Sequence, residues 1–250
     1  MLFLVGTGIS FDDLSISALE KCKECTLYIE RYTTLVTDEK VRYLSKITGK
    51  EIQEVRRADL EENAKKIVES AKRGNIAILV GGDPLTATTH KILFLEARRK
   101  GVQVRVLHSS SAISATIGSS GLDFYRFGQV CTIPRWSSNY KPVSFYEVIE
   151  RNSRDNLHSL ILLDYYPERE STLEIGTAIE ELEAAEMHYK RGIIRDDTQI
   201  FVMQNIALDN EKITITTIGE VGEIEGGMAS IILPAKLSEI EEEVTGAMKG

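Results

Sequence analysis

Residues 76–80, IAILV, are five apolar residues in a row, and they stop at Gly81-Gly82-Asp83-Pro84. The run reads as a buried strand, and a helical pattern ending at Arg98, Arg99, Lys100 and Gly101 follows it. Two glycines at the carboxyl end of a strand take away Cβ where a ligand approaches the main chain. In open α/β sheets that end is where small molecules bind. Pro84 fixes the turn, Asp83 supplies acceptors, and Thr86, Thr88 and Thr89 supply hydroxyls beside a helix start. The same residues also suit a plain strand-to-helix turn capped by Asp83, so the stretch alone leaves a binding loop and a structural turn equally open.

The rest of the first half repeats the pattern. Residues 2–5 run into Gly6-Thr7-Gly8, a first strand and its turn. A dinucleotide fingerprint there needs a third glycine at position 11, which is Phe11. Ile16, Leu19 and Cys22 recur at helical spacing, and 26–29 is the next strand. A helix is expected over 38–45 with its stop at Gly49, then a strand over 52–55. Asp59 with Glu62 has the form of a capping box. Leu60, Ala64, Ile67, Val68 and Ala71 then make one apolar stripe before Gly74. Residues 102–107 are a fifth strand. Alternation of this kind predicts a mostly parallel sheet with helices on its faces.

The second half reads differently. After Ile113 and Ile117, Gly118 and Gly121 break the pattern, and 130–133 is a strand ending at Pro134. A loop over 135–142 holds the single tryptophan, Trp136. Ser144 and Glu147 then have capping-box spacing for a short helix with Phe145, Val148 and Ile149 inward. Residues 160–163 form a strand closing at Asp164. A long helix carries Ile175, Ile179, Leu182 and Tyr189 and stops at Gly192. Strands over 199–203, 213–218 and 231–233 follow with no helix between them, which predicts antiparallel pairing. Ser238 and Glu241 cap a final helix carrying Ile240, Val244 and Met248. The expected fold is therefore α/β in two domains, 1–109 with a mostly parallel sheet and 110–250 with a mixed one, joined by a polar hinge at 108–111.

Composition bounds the function. With 42% apolar and 27% charged residues the chain suits a soluble globular protein, and a net charge of −8 without a basic stripe disfavours nucleic acid as partner. No apolar run reaches the ~18 residues of a membrane span, and the N-terminus lacks the basic region and cleavage site of a signal peptide, so a cytoplasmic, membrane-free protein is expected. Cys22 and Cys25 form a CxxC. Only Cys131 and four scattered histidines accompany them, none at zinc spacing, so no metal is expected. GxSxG and GxxxxGK[ST] are both missing, which argues against an elbow-type hydrolase and a P-loop ATPase. His90 and His108 lie near strand ends, and a structural role is favoured over acid–base work for each. His158 and His188 read as structural. What remains is a set of glycine and small hydroxyl residues at strand ends, 6–9, 81–86 and 109–112, suited to a backbone-lined site for a polar ligand.

GTG at 6–8, GGDPLTATTH at 81–90, HSSSAISA at 108–115, GLDFYRFGQ at 121–129, PVSFYEVI at 142–149, LHSLILLD at 157–164 and DDT at 196–198 occur in this order. In these blocks the chain resembles the tetrapyrrole methylase superfamily, and within it the diphthine synthase branch, over nearly its whole length. The resemblance implies two α/β domains with a ligand cleft between them and S-adenosylmethionine as methyl donor. Carried over block by block, it implies cofactor contacts at Ile9, Asp83, Thr86, Ser111, Ala112, Ile161, Gln204 and Ala229. Position 204 carries Gln where a small residue is expected, and 229 carries Ala where the family often has histidine. The implied substrate is translation elongation factor 2 bearing a histidine extended by an amino-carboxypropyl group, whose amine is methylated to diphthine. No catalytic residue is implied. A homodimer is. The competing readings are a precorrin or ribosomal RNA methylase of the same superfamily, and a binding module that has kept the fold without the transfer.

Overall fold

The computed structural model of the chain describes residues 1–222, 224 and 226–248. It divides into two compact units, Met1–Ala112 and Ile113–Gly250, so the division falls after Ala112, where the sequence suggested 109.

In the first unit the order is β1 (Leu2–Gly6), α1 (Ile16–Lys23), β2 (Thr26–Glu30), α2 (Asp38–Thr48), β3 (Ile52–Val55), α3 (Arg57–Glu61), α4 (Ala64–Ala71), β4 (Ile76–Val80), α5 (Lys91–Arg99) and β5 (Val104–Leu107). The five strands form one sheet in the order β3-β2-β4-β1-β5, every pair parallel. Side chains alternate across it. Leu2, Leu4, Ile76, Ile78 and Val80 pack with Leu60, Val68 and Leu93 of α3, α4 and α5. Phe3, Val5, Ala77 and Leu79 pack with Ala18, Cys22 and Leu44 of α1 and α2 on the other face. Helices on both faces are the reason β1 and β4 are apolar at every position. All carboxyl ends of a parallel sheet lie along one edge, so the loops after β1, β4 and β5 emerge side by side.

Two expectations for this unit are corrected. The predicted single helix after position 59 is two. Asp59 caps a turn earlier than its spacing with Glu62 suggested, its Oδ2 accepting from Arg56 N at 3.0 Å, and the chain restarts as α4 beyond Asn63. The stripe of Leu60, Ala64, Val68 and Ala71 still faces inward. In α1, Ala18 and Cys22 make the buried face, while Ile16 is 81% exposed.

The second unit contains α6 (Ala112–Ser119, its first residue shared with the first unit's end), β6 (Cys131–Ile133), α7 (Phe145–Arg154), β7 (Ser159–Leu163), β8 (Tyr165–Tyr166), β9 (Ser171–Thr172), α8 (Ile175–Tyr189), β10 (Gln199–Gln204), β11 (Lys212–Thr217), β12 (Ala229–Leu233) and α9 (Glu239–Ala247). Its sheet runs β11-β10-β12-β7-β6, with β6 and β7 parallel and the other pairs antiparallel. One face packs against α7 and α8 through Phe145, Ile149, Ile179 and Leu182, and the other against Ile117 and Leu122.

The Ser144–Glu147 capping box does not form. Ser144 has helical backbone angles, φ −64° and ψ −20°, which turn its hydroxyl away from the cap position. Glu147 instead accepts from the Tyr189 hydroxyl at 3.0 Å. The Ser238–Glu241 box does form, with Ser238 N donating to Glu241 Oε2 at 2.8 Å. The buried face of α9, however, is polar. Ile240 is 74% exposed while Glu241 and Thr245 are inside.

Candidate ligand site at the edge of the parallel sheet

Backbone geometry sets this site before any side chain does. Gly8 and Gly82 exchange main-chain hydrogen bonds, Gly8 N to Gly82 O at 3.2 Å and Gly82 N to Gly8 O at 3.0 Å, so the loops after β1 and β4 are stapled together. Both glycines hold φ +68°, a conformation that L side chains rarely adopt. A Cβ on Gly8 would lie 1.9 Å from Asp13 Cβ, which no adjustment relieves. A Cβ on Gly82 would meet Ser110 O at 3.7 Å and Ser111 Cα at 4.0 Å, ordinary contact distances, so the positive φ rather than a clash favours glycine there.

Two carboxylates and one lysine pin the loops. Asp83 is 6% exposed, and both of its oxygens are committed. Oδ1 accepts from Leu85 N and Thr86 Oγ1, each at 3.0 Å, and Oδ2 accepts from His108 Nδ1 at 2.7 Å and Ser109 N at 3.4 Å. Burial pushes this carboxyl up, but the bonds from Leu85, His108 and Thr86 outweigh it and hold it below its usual value. Asp13 Oδ2 accepts from Ile9 N at 2.8 Å, Ser10 N at 3.0 Å and Ser110 Oγ at 2.5 Å. It too is lowered, burial opposing and the Ser110 and Ser10 bonds prevailing. Lys40, 4% exposed on α2, donates to Gly8 O at 2.8 Å and Ile9 O at 3.2 Å. Burial lowers its pKa to about 8 against the pull of Asp13.

Of the residues expected to contact a cofactor, Ile9, Asp83, Thr86, Ser111 and Ala112 lie on these three loops or at the first residue of α6. Asp83 acts as a bracket, since its carboxylate has no lone pair to spare. The backbone N–H and C=O of Ile9 are likewise taken, by Asp13 and Lys40, which leaves its side chain for contact. In the second unit, Gln204 pairs with Ala229 across β10 and β12, and Ile161 pairs with Ile231 across β7 and β12. Ile231 is two residues beyond Ala229, so Ile161, Gln204 and Ala229 share one face of that sheet. The two positions that depart from the family pattern are thus direct cross-strand neighbours. Ile161 is wholly buried, Gln204 is 6% exposed and Ala229 is half-buried.

Sequence reading missed Asp13 and Lys40. Each is a lone polar residue in an otherwise ordinary context, and only the fold brings 13, 40 and 110 together. The 108–110 stretch, expected to be a hinge, is tied to the first unit's loops by Asp13 and Asp83. The CxxC thiols are core groups, Cys22 wholly buried and Cys25 nearly so. Burial, then the neighbouring Cys25, pushes the Cys22 pKa up to about 12. Among the described residues no three His, Cys, Asp or Glu side chains gather as a metal-binding group.

The family model for Tetrapyrrole (Corrin/Porphyrin) Methylases matches residues 1–222. The chain belongs to the tetrapyrrole methylase family. A diphthine synthase of Methanothermobacter thermautotrophicus is 33% identical over 99% of this chain and 96% of its own. A diphthine methyl ester synthase of Saccharomyces cerevisiae is 31% identical over 97% of this chain and 87% of its own. A crystal structure of diphthine synthase superposes with a TM-score of 0.87 at 31% identity, covering 98% of this chain and 94% of that one. This methylase therefore sits in the diphthine synthase branch and is a methyltransferase, with one parallel and one mixed sheet.

Proposed function

We propose that this methylase takes a methyl group from S-adenosylmethionine and places it on the amine of the amino-carboxypropyl-histidine of translation elongation factor 2, giving diphthine. The observation that carries the reading is the stapled glycine loops, which meet the third loop at Ser110 and Ser111, in a chain that matches diphthine synthases end to end. The residues present fit the donor. Thr86 and Ser111 bring hydroxyls to a site where the main chain is bare at Gly82, and the pinned loops need no reorganisation when a ligand arrives. The bound donor supplies a methyl group on a positively charged sulfur, which leaves as a neutral thioether. The protein's tasks are to align a neutral amine with that methyl, to exclude water and to keep the amine unprotonated.

Calorimetry with S-adenosylmethionine tests the donor. Micromolar binding that weakens when Gly82 is replaced by Val is expected, and no binding by the wild type would end the reading. Titrating Gln204→Ala and Ala229→His variants decides whether the second unit contributes. Mass spectrometry of elongation factor 2 from cells lacking this protein tests the substrate, the expected result being accumulation of the unmethylated extended histidine. The name of the yeast relative specifies a methyl ester, so the same spectra are read for methylation at the carboxylate as well as at nitrogen. A cytoplasmic homodimer without nucleic acid completes the proposal. The net charge of −8 supports the last point, and none of the described helices is long and apolar enough to cross a membrane. Sedimentation equilibrium at micromolar concentration checks the dimer.

A further inference from the structure

Methylating an ammonium group requires that it first lose a proton, and the sequence blocks shared with the family name no group to receive it. Four histidines are available. His158 has both ring nitrogens committed and is wholly buried. His90 is 2% exposed, with Nδ1 3.2 Å from Pro84 O and Nε2 3.4 Å from the Tyr32 hydroxyl. His188 lies on the exposed side of α8, edge-on to Tyr189, with no hydrogen-bonding anchor among the described residues. His108 differs from all three. Its Nδ1 is 2.7 Å from Asp83 Oδ2, and its side chain is 68% exposed.

Asp83 decides which nitrogen of that ring carries the proton. An ionised carboxylate only accepts, so the short contact places the hydrogen on Nδ1 and leaves the lone pair on Nε2. The carboxylate cannot swing away, because Leu85 N and Thr86 Oγ1 hold its other oxygen and Ser109 N shares Oδ2. Asp83 is also the charged group in contact with the ring. A fixed anion on one side and an open nitrogen on the other is the arrangement of an oriented proton acceptor. The ring opens the segment that continues into Ser111 and Ala112.

We propose that His108 accepts the proton of the substrate ammonium, an inference that rests on the methyltransferase reading above. The N–H bond of R–NH3+ breaks, its electron pair stays on nitrogen as the nucleophilic lone pair, and the proton moves to Nε2. Asp83 stabilises the resulting imidazolium, which passes its proton to water from its exposed position. Methyl transfer leaves the product nitrogen cationic, as R–NH2(CH3)+, and before any further transfer one of its remaining N–H bonds breaks in the same way, the proton moving to Nε2 of His108. Asp83 is a positioning residue in this scheme.

His108→Asn in the full-length protein is the test, because an Asn amide still donates to Asp83 while offering no base. With S-adenosylmethionine and the modified elongation factor as substrates, kcat falls by about 100-fold or more. The calorimetric affinity for S-adenosylmethionine and the melting temperature stay at their wild-type values. The acid limb of the wild-type kcat profile disappears, and added imidazole restores part of the rate. A variant that keeps kcat within about threefold, with the acid limb intact, overturns the proposal. If His108→Asn fails to fold, His108→Gln takes its place with the same outcomes. Long-range 1H–15N spectra of the wild type give an independent reading without turnover. The Nδ1–H tautomer is expected, and the Nε2–H tautomer overturns the assignment. A wild type that neither binds the donor nor methylates the factor refutes the methyltransferase reading and takes this proposal with it, whereas an active wild type with an unimpaired variant refutes the proposal alone.

Discussion

Each unit contains a histidine bonded to a buried carboxylate, and the two pairs are built to opposite ends. In the second unit Ala235 N donates to His158 Nδ1 at 2.9 Å, which puts the ring hydrogen on Nε2, 2.9 Å from Glu241 Oε1. Glu241 also takes Asp123 N at 3.0 Å, Ser238 N at 2.8 Å and the Arg126 guanidinium. Every polar atom of the pair is used to hold α9 on the unit's core. In the first unit Asp83 is equally saturated, but its histidine keeps one nitrogen for solvent. A carboxylate–imidazole pair is therefore neither structural nor chemical by type. What decides is whether the second nitrogen has a partner.

Glu241→Ala should do the greatest damage, because it leaves the Arg126 guanidinium without its counter-charge and the buried Nε2–H of His158 without its acceptor. Urea unfolding is expected to give a loss of about 3–5 kcal/mol. A loss below about 1 kcal/mol would mean that the cluster does not carry α9 and would dissolve the contrast. Asp83→Ala leaves Leu85 N without its acceptor and the His108 ring without its anchor. Stability should fall by only about 1–3 kcal/mol, while turnover falls much further, the reverse of the Glu241 pattern. Parallel melts and rate measurements on the two variants check this. Lys40→Met takes the lysine donor from the carbonyl of Ile9 and one of two donors from that of Gly8, which keeps Gly82 N. A loss of about 1–2 kcal/mol in stability is expected, with a several-fold weaker S-adenosylmethionine affinity by calorimetry.

The contrast also shows in the pH dependence of stability. Burial raises the Glu241 carboxyl, but the bonds from Ser238, Asp123 and His158 bring it down to about 2, against an ordinary value of 4.5. A carboxyl lowered by folding stabilises above its unfolded value, and that contribution is lost as pH falls from about 4.5 towards 2. Burial also lowers His158 below its ordinary 6.5, against the pull of Glu241, so this group adds a loss that starts near 6.5 on the same descent. Chemical denaturation between pH 7 and 3 should show a steeper acid decline for the wild type than for Glu241→Gln.

Most of the scaffold was legible because apolar runs and glycine stops are local signals. The spans of β3 and β4 coincide with the expected 52–55 and 76–80, and the switch from alternating elements to consecutive strands announced the mixed sheet. The failures have a common cause. Periodicity assigns apolar residues to the inside, and at α9 the inside is a charged cluster, so Glu241 is buried and Ile240 is not. Spacing rules place caps by residue type, and at Ser144 the backbone angle forbids the bond. In the site, the blocks pointed to the loops after β1, β4 and β5, but not to Asp13, Lys40 or the orientation of His108. Those depend on contacts between residues up to 97 positions apart, such as Ser110 with Asp13.

The Gly8–Gly82 staple is made of main chain on both sides, so no exchange of side chains elsewhere on the loops can remove either of its bonds. Chemistry at the rim is free to drift, one hydroxyl replaced by another or an acceptor lost, while the frame that presents it stays in register. A scaffold with that division of labour can be handed new acceptor molecules without being refolded. Efforts to retarget this methylase should therefore leave the two glycines alone.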